Sequence, residues 1–308
     1  MRFLQYVVAF VLTVVMLYIA RTNSLGEPRE VTGEFGGVQL RMVTVPKCYE
    51  NSDTTITVRL QHLPPSSRVR FCHTTEAGAS LEQYACEPMA VGDTTADGIQ
   101  YAGSISVGKR GGKYYYYFVV TDSLGNVTAR LTDPDELPET KPFLLKSFGH
   151  LPIPVLAGHL LFIFSTVFFI SLATVSAFGA RGDERMRYRM MRLLLYATIT
   201  SFIGMIIFGI PMNYFAFGGY WEGVPFGHDA TDNKTQLLFL YLLFATLSGL
   251  GTLSRGRWGR DIVAPKTLTG IAVGSFAVML FIYLIPHSIQ FTPAFTYAFC
   301  YSWIGLLV

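Results

Sequence analysis

"YYYYFVVTD", residues 114–122, decides how the first half of the chain is read. It is the last and most aromatic of a series of alternating runs. The others are "VQLRMVTVP" at 38–46, "TTITVRLQH" at 54–62, "RVRFCHTT" at 68–75, "EQYACEPM" at 82–89 and "IQYAGSISV" at 99–107. Period-two patterning cut so often by turn residues predicts an antiparallel β-sandwich, placed here over residues 26–132.

The longer stretch "GGKYYYYFVVTDSLGNVTARL", residues 111–131, resembles the closing hairpin of bacterial immunoglobulin-like or fibronectin type III-like domains. Those domains carry an aromatic strand, an Asp, a Gly-Asn turn and a last strand. "RVRFCHTTE" and "YACEPM" also resemble their central strands. The resemblance covers roughly a third of the chain and implies a fold, not a function, because such sandwiches host many unrelated binding roles.

Four cysteines are present, Cys48, Cys72, Cys86 and Cys300, with no Cys-x-x-Cys among them. Zinc ribbons and covalently attached c-type haem are therefore unsupported. A hairpin turning at "EAGAS", centred on Ala79, would set Cys72 directly opposite Cys86 and within disulfide reach. Such a bond implies an oxidising compartment. Pairing of Cys48 with either of the two is an open alternative.

Composition places the rest of the chain in lipid. Of 308 residues, 51% are hydrophobic and only 15% charged, where soluble domains run nearer about a quarter charged. Residues 3–20 are apolar and uncharged, longer than the core of a signal peptide and followed by a poor cleavage site. They read as a retained transmembrane signal anchor, residues 1–25. Residues 133–150, opening on the proline- and acid-rich "DPDELPETKPF", read as a linker. Apolar runs at 152–178, 193–214, 236–253 and 268–286 then suit membrane spans. The final run, 289–308, suits a span or a re-entrant helix. The expected fold class is an α+β membrane protein: an anchor, an exported sandwich, then a helical bundle of four or five spans over 151–308.

Loop charge orients this bundle. Arg181, Arg185, Arg187, Arg189 and Arg192 lie in one loop, and Arg255, Arg257, Arg260 and Lys266 in another. Between them, residues 212–236 hold Lys234 as the only lysine or arginine. The positive-inside rule then puts both arginine loops and the N-terminus in the cytoplasm, and the sandwich outside. With the bacterial resemblance, the expected location is a bacterial inner membrane with a periplasmic sandwich.

Little chemistry is written into the sequence. The four central spans carry no Asp, Glu, Lys or Arg, which argues against a proton pump or a transporter of charged substrates. No hydrolase, zincin or phosphate-loop pattern occurs. Histidines give the main candidates. His150, His159, His228 and His287 all fall on the outer side of the expected topology, with His159 roughly 10 Å inside its span at 1.5 Å per residue. Convergence of His159, His228 and His287 could hold haem b or a metal. The loop "YWEGVPFGHDATDNKT", residues 220–235, adds His228, Asp229, Asp232 and Glu222 as candidate oxygen and nitrogen ligands for a divalent cation. The blander reading makes its end a helix cap, with Asn233 as N-cap, Gln236 as its reciprocal partner, and the aspartates near the positive helix end.

These features favour a non-catalytic subunit of a membrane complex. Its partners would be lipid and other membrane or exported subunits, with no nucleic acid. The alternative is an electron-transfer protein with haem b or a divalent metal at the outer histidines. No cofactor is firmly implied.

Overall fold

The computed structural model describes residues 2–22, 28–135, 141–180, 182–227 and 229–284. Its described residues divide into two compact units. One draws on Gly26–His150 with Phe215–Gly218, the other on Met1–Leu25, Leu151–Tyr214 and Gly219–Val308.

The first unit is built from β1 (Glu30–Phe35), β2 (Val38–Val43), β3 (Lys47–Tyr49), β4 (Asp53–Gln61), β5 (Arg68–Thr74), β6 (Ala85–Pro88), β7 (Ala90–Thr95), β8 (Gly98–Ser106), β9 (Lys113–Thr121), β10 (Val127–Leu131) and β11 (Phe143–Phe148). One sheet has the order β1-β2-β4-β8-β7, and the other β3-β11-β9-β5-β6 with β10 also on β9. This is a sandwich-like pair of sheets, with two departures from the sequence reading. β3 and β11 pair in parallel, so the sandwich is not purely antiparallel. β11 itself lies inside the expected linker 133–150, where Phe143–Lys146 pairs with Lys113–Tyr116 of β9. Its backbone amides and carbonyls are satisfied by the sheet, which makes it part of the sandwich.

Alternation supplies the core. Val38, Leu40 and Met42 of β2 are buried while Gln39, Arg41 and Val43 are exposed, as a pleated strand with one solvated face requires. The aromatic run of β9 departs from this pattern, because every residue from Tyr116 to Thr121 is buried. Tyr114, Tyr116, Phe118 and Val120 enter the main core. Tyr117 and Val119 pack instead with Cys72 and Tyr84 in a second, smaller cluster. The chain between β5 and β6 makes that cover: the Tyr117 hydroxyl donates to the Leu81 carbonyl (2.7 Å), and Tyr84 meets the Tyr117 ring edge-on at 5.1 Å. Cys72 and Cys86, opposed in register with Cα atoms 4.0 Å apart, are joined by a disulfide. Cys48 is a free thiol whose S–H reaches the Lys146 carbonyl at 3.6 Å.

The second unit is helical: α1 (Arg2–Thr22), α2 (Ile153–Ala180), α3 (Glu184–Phe202), a π-helical stretch (Ile203–Gly209), α4 (Ile210–Phe217), α5 (Ala230–Ser248), the short α6 (Leu250–Ser254) and α7 (Pro265–Leu284). Its core joins Ile170 and Ala173 of α2, Met191 and Leu194 of α3, Leu242 of α5 and Ala272 of α7. Hydroxyls tie the helices where apolar contact cannot. Thr198 donates to the Leu242 carbonyl at 3.1 Å and lies 2.8 Å from the Thr246 hydroxyl, and Tyr241 donates to the Ile271 carbonyl at 3.2 Å. Small and hydroxylated residues at such contacts suit helices packed in lipid.

Among the described residues, three helices are long and apolar enough to cross a membrane: Ile153–Ala180, Glu184–Phe217 and Pro265–Leu284. The expected four or five spans are corrected to these three. α5 fails because six of its first seven residues, "ATDNKTQ", are polar, and it ends at Ser248. The apolar part of α1, Phe3–Ile19, is shorter than the three. The run 289–308 lies outside the described residues.

Candidate functional site

The loop before α5 is closed by its own backbone and by two side chains from the helix that follows. The Phe226 and Gly227 amides both donate to the Gly223 carbonyl at 2.9 Å, and the Asp229 amide to the Glu222 carbonyl at 2.8 Å. Close approach explains two glycines here. A Cβ on Gly227 would stand 2.3 Å from the Glu222 carbonyl oxygen, and one on Gly223 would stand 2.8 Å from Asp232 Cβ.

Asp229 is the N-cap of α5: its Oδ1 accepts from the Thr231 and Asp232 amides at 2.7 and 3.0 Å. This corrects the expectation that Asn233 caps the helix. α5 starts four residues earlier, and Asn233, one turn in, points its Oδ1 back to the Val224 amide at 2.7 Å. Asp232 does the same, its Oδ2 accepting from the Glu222 amide at 2.7 Å and lying 3.5 Å from Asn213 Nδ2. Tyr220 stacks on Tyr214 with ring centroids 4.6 Å apart. Asp229→Ala removes an N-cap and is expected to cost about 1 kcal/mol. Thermal unfolding of the full chain in detergent checks this, with no change in midpoint as the contrary result.

Burial and the neighbouring charges of Asp229 and Glu222 push the Asp232 carboxyl up to about 6, against the pull of the Glu222 amide. Lys234, only 6% exposed, is pushed down to about 8 by burial, with Asp229 acting the other way. For Asp232 the sign is simple. The folded loop keeps a proton that the unfolded chain releases near 3.8, so its contribution is full below that pH and is lost as pH rises through about 6. Thermal midpoints between pH 4.5 and 7 should fall less in Asp232→Asn than in the natural protein. Identical pH profiles would show that Asp232 ionises freely.

These roles leave little for a cation. Asp229 is committed to the helix end and Asp232 to the loop backbone. Among the described residues no three His, Cys, Asp or Glu side chains are grouped to hold a metal ion. His228 and His287 lie outside the described residues, so the histidine cluster is represented by His159 alone.

His159 occupies a defined position on α2. Its Nδ1 lies 3.0 Å from the Gly204 carbonyl in the π-helical stretch. A carbonyl only accepts, so Nδ1 carries the hydrogen and Nε2 of the neutral ring keeps its lone pair. The neighbouring Gly158 lets the helices approach, since a Cβ there would meet the Phe208 ring at 2.2 Å. Phe208 stacks on Phe162 with centroids 5.6 Å apart. Pro211 has no amide hydrogen to offer Ile207, which disfavours a regular α-helical ladder at this point. Sequence reasoning found His159 but missed Gly204. The signal available was Pro211 inside an apolar helical run, which marks a break in the α-helical ladder without naming the carbonyl. Compared with known proteins, the chain matches no family model and no curated protein.

Proposed function

We propose that the chain is a membrane-embedded subunit of a larger complex, with its immunoglobulin-like sandwich exported to dock a protein partner. The observation that carries this reading is the Cys72–Cys86 disulfide, because a sandwich holding such a bond belongs in an oxidising compartment while the attached helices suit lipid. The orientation is then arginine loops and N-terminus in the cytoplasm of a bacterial cell and sandwich in the periplasm. A docking edge is available in β7, an outer strand exposed at all six residues, including Val91 at 68%. Such an edge accepts another strand unless it is blunted. The experiment is photo-crosslinking from position 91 in intact membranes, followed by gentle solubilisation. A single crosslinked partner that co-purifies in fixed ratio is expected. A lone chain with no discrete crosslink overturns the reading.

A second reading, a haem- or metal-bearing redox protein, is favoured by His159. Its Nδ1 is bound to a backbone carbonyl, the arrangement that leaves Nε2 oriented as a ligand. Purified protein without a Soret band and without stoichiometric metal ends that reading. A haem spectrum abolished by His159→Ala sustains it.

A further inference from the structure

One end of the helical unit gathers basic side chains from two distant parts of the chain. The start of α3 carries Arg185, Arg187, Arg189 and Arg192, and the segment after α6 carries Arg255, Arg257 and Arg260. The two groups meet at Tyr188, whose ring centroid lies 5.8 Å from the Arg192 guanidinium and 4.6 Å from that of Arg255. α1 reaches the same place: Arg189 Nη1 donates to Gln5 Oε1 at 2.8 Å, and its guanidinium lies 5.6 Å from the Tyr6 ring centroid.

The carboxylates nearby, Asp183, Glu184 and Asp261, are outnumbered by these seven arginines. Asp183 caps α3 through the Arg185 and Met186 amides, and Asp261 accepts from the Thr252 amide and hydroxyl, each at 2.6 Å. Glu184 is exposed. Arg29 and Arg41 of the sandwich form ion pairs with Asp133, Asp135 and Glu30. Two donors are left over: Arg187 Nε and Arg189 Nη2 are buried and have no hydrogen-bond partner. A buried guanidinium hydrogen without an acceptor is costly, so the arrangement calls for an oxygen-rich anion. Both residues are only half-buried as a whole, so neither is sealed inside the helical unit.

The same end exposes apolar side chains. Trp258 is 73% and Ile262 76% exposed, set among Arg257 and Arg260. Tryptophan beside arginine is the composition of a membrane at headgroup depth. We propose that the start of α3, with the α6–α7 segment against it, binds the phosphates of anionic phospholipid headgroups, Arg187 and Arg189 each supplying a donor on its own face of the helix. Guanidinium groups suit a phosphodiester because their paired N–H groups match its oxygens. Basic pockets between helices at the cytoplasmic face are where such headgroups bind. The site rests on membrane embedding and is independent of what the sandwich docks.

The test uses the full chain in nanodiscs of phosphatidylcholine with or without phosphatidylglycerol, with bound lipid read by native mass spectrometry after release into detergent. Phosphatidylglycerol is expected to be retained over phosphatidylcholine. The double substitution Arg187→Gln with Arg189→Gln should lower that retention about tenfold or more. If that variant does not fold, Arg187→Lys with Arg189→Lys keeps the charge and should show a partial loss. Equal retention of both lipids, or full retention in a folded double variant, overturns the site. Complete displacement by millimolar inorganic phosphate makes it a free-phosphate site and also overturns it. Loss of a co-purified partner with lipid still bound would count against the docking reading alone.

Discussion

Phe71→Ala is expected to destabilise the sandwich by about 3–5 kcal/mol, the range for removing a buried aromatic ring from a packed core. Phe71 is 1% exposed, and its ring lies 5.6 Å from Tyr116 and 5.8 Å from Phe118, centroid to centroid. It also fills space that the opposite sheet leaves open. A Cβ on Gly103 of β8 would come within 2.8 Å of the ring, so that glycine exists beside a side chain which must be large. Removing the ring leaves a cavity walled by Tyr116 and Phe118, which cannot collapse without moving both sheets. Near-UV circular dichroism of the full chain during denaturation reads this directly, because the lost ring belongs to the aromatic cluster. A cost below about 1 kcal/mol would mean the site relaxes freely. Leu124→Ala, at a turn position 86% exposed, is the control and should change nothing measurable.

Replacing both Cys72 and Cys86 by serine is expected to cost about 3 kcal/mol, the stabilisation of a bond closing a loop of roughly 15 residues. The bond spans 14 positions and includes the 3-10 turn Leu81–Gln83. Its loss does more than lengthen an unfolded loop. Cys72, fully buried, sits under the same cover as Tyr84 and Tyr117, so a free β5–β6 connection uncovers the outer side of β9. Reduction of the natural protein should therefore lower its thermal midpoint and raise Tyr117 exposure to surface labelling. Unchanged stability after verified reduction would show that the aromatic packing holds the connection without the bond.

The sandwich was legible because period-two alternation marks a strand with one buried face, and β2, β4 and β5 carry it, while β9 showed itself by its aromatic run. β7 escaped because all six of its residues are exposed, leaving no alternation to see. β3 has three residues, and β11 hides behind a proline-rich connector, its identity depending on pairing with β9 and β3. In the helical unit, apolarity revealed the runs but not where helices begin. α3 starts at Glu184, nine residues before its apolar run, because arginine is a good helix former and Asp183 caps the first turn. α5 starts at Ala230 for a similar reason, with Asp229 taking the amides that a cap at Asn233 would have left for later. At the candidate site, His159 was visible as a lone imidazole in an apolar run. Its contact with Gly204 was not, because a residue 45 positions away supplies the carbonyl.

The helix Glu184–Phe217, with its π-helical stretch, has 34 residues, which at 1.5 Å each is roughly 50 Å of rod. A hydrocarbon layer is about 30 Å thick. With Arg192 at one headgroup layer, the distance on to Phe217 is roughly 37 Å, more than the layer can cover. A helix of that length is long enough to hold Trp221, Glu222 and the capped start of α5 clear of a hydrocarbon layer that begins at Arg192. Shortening it by one turn would draw that loop toward the hydrocarbon, and Asp232, already reluctant to ionise, would be the first group to feel the change.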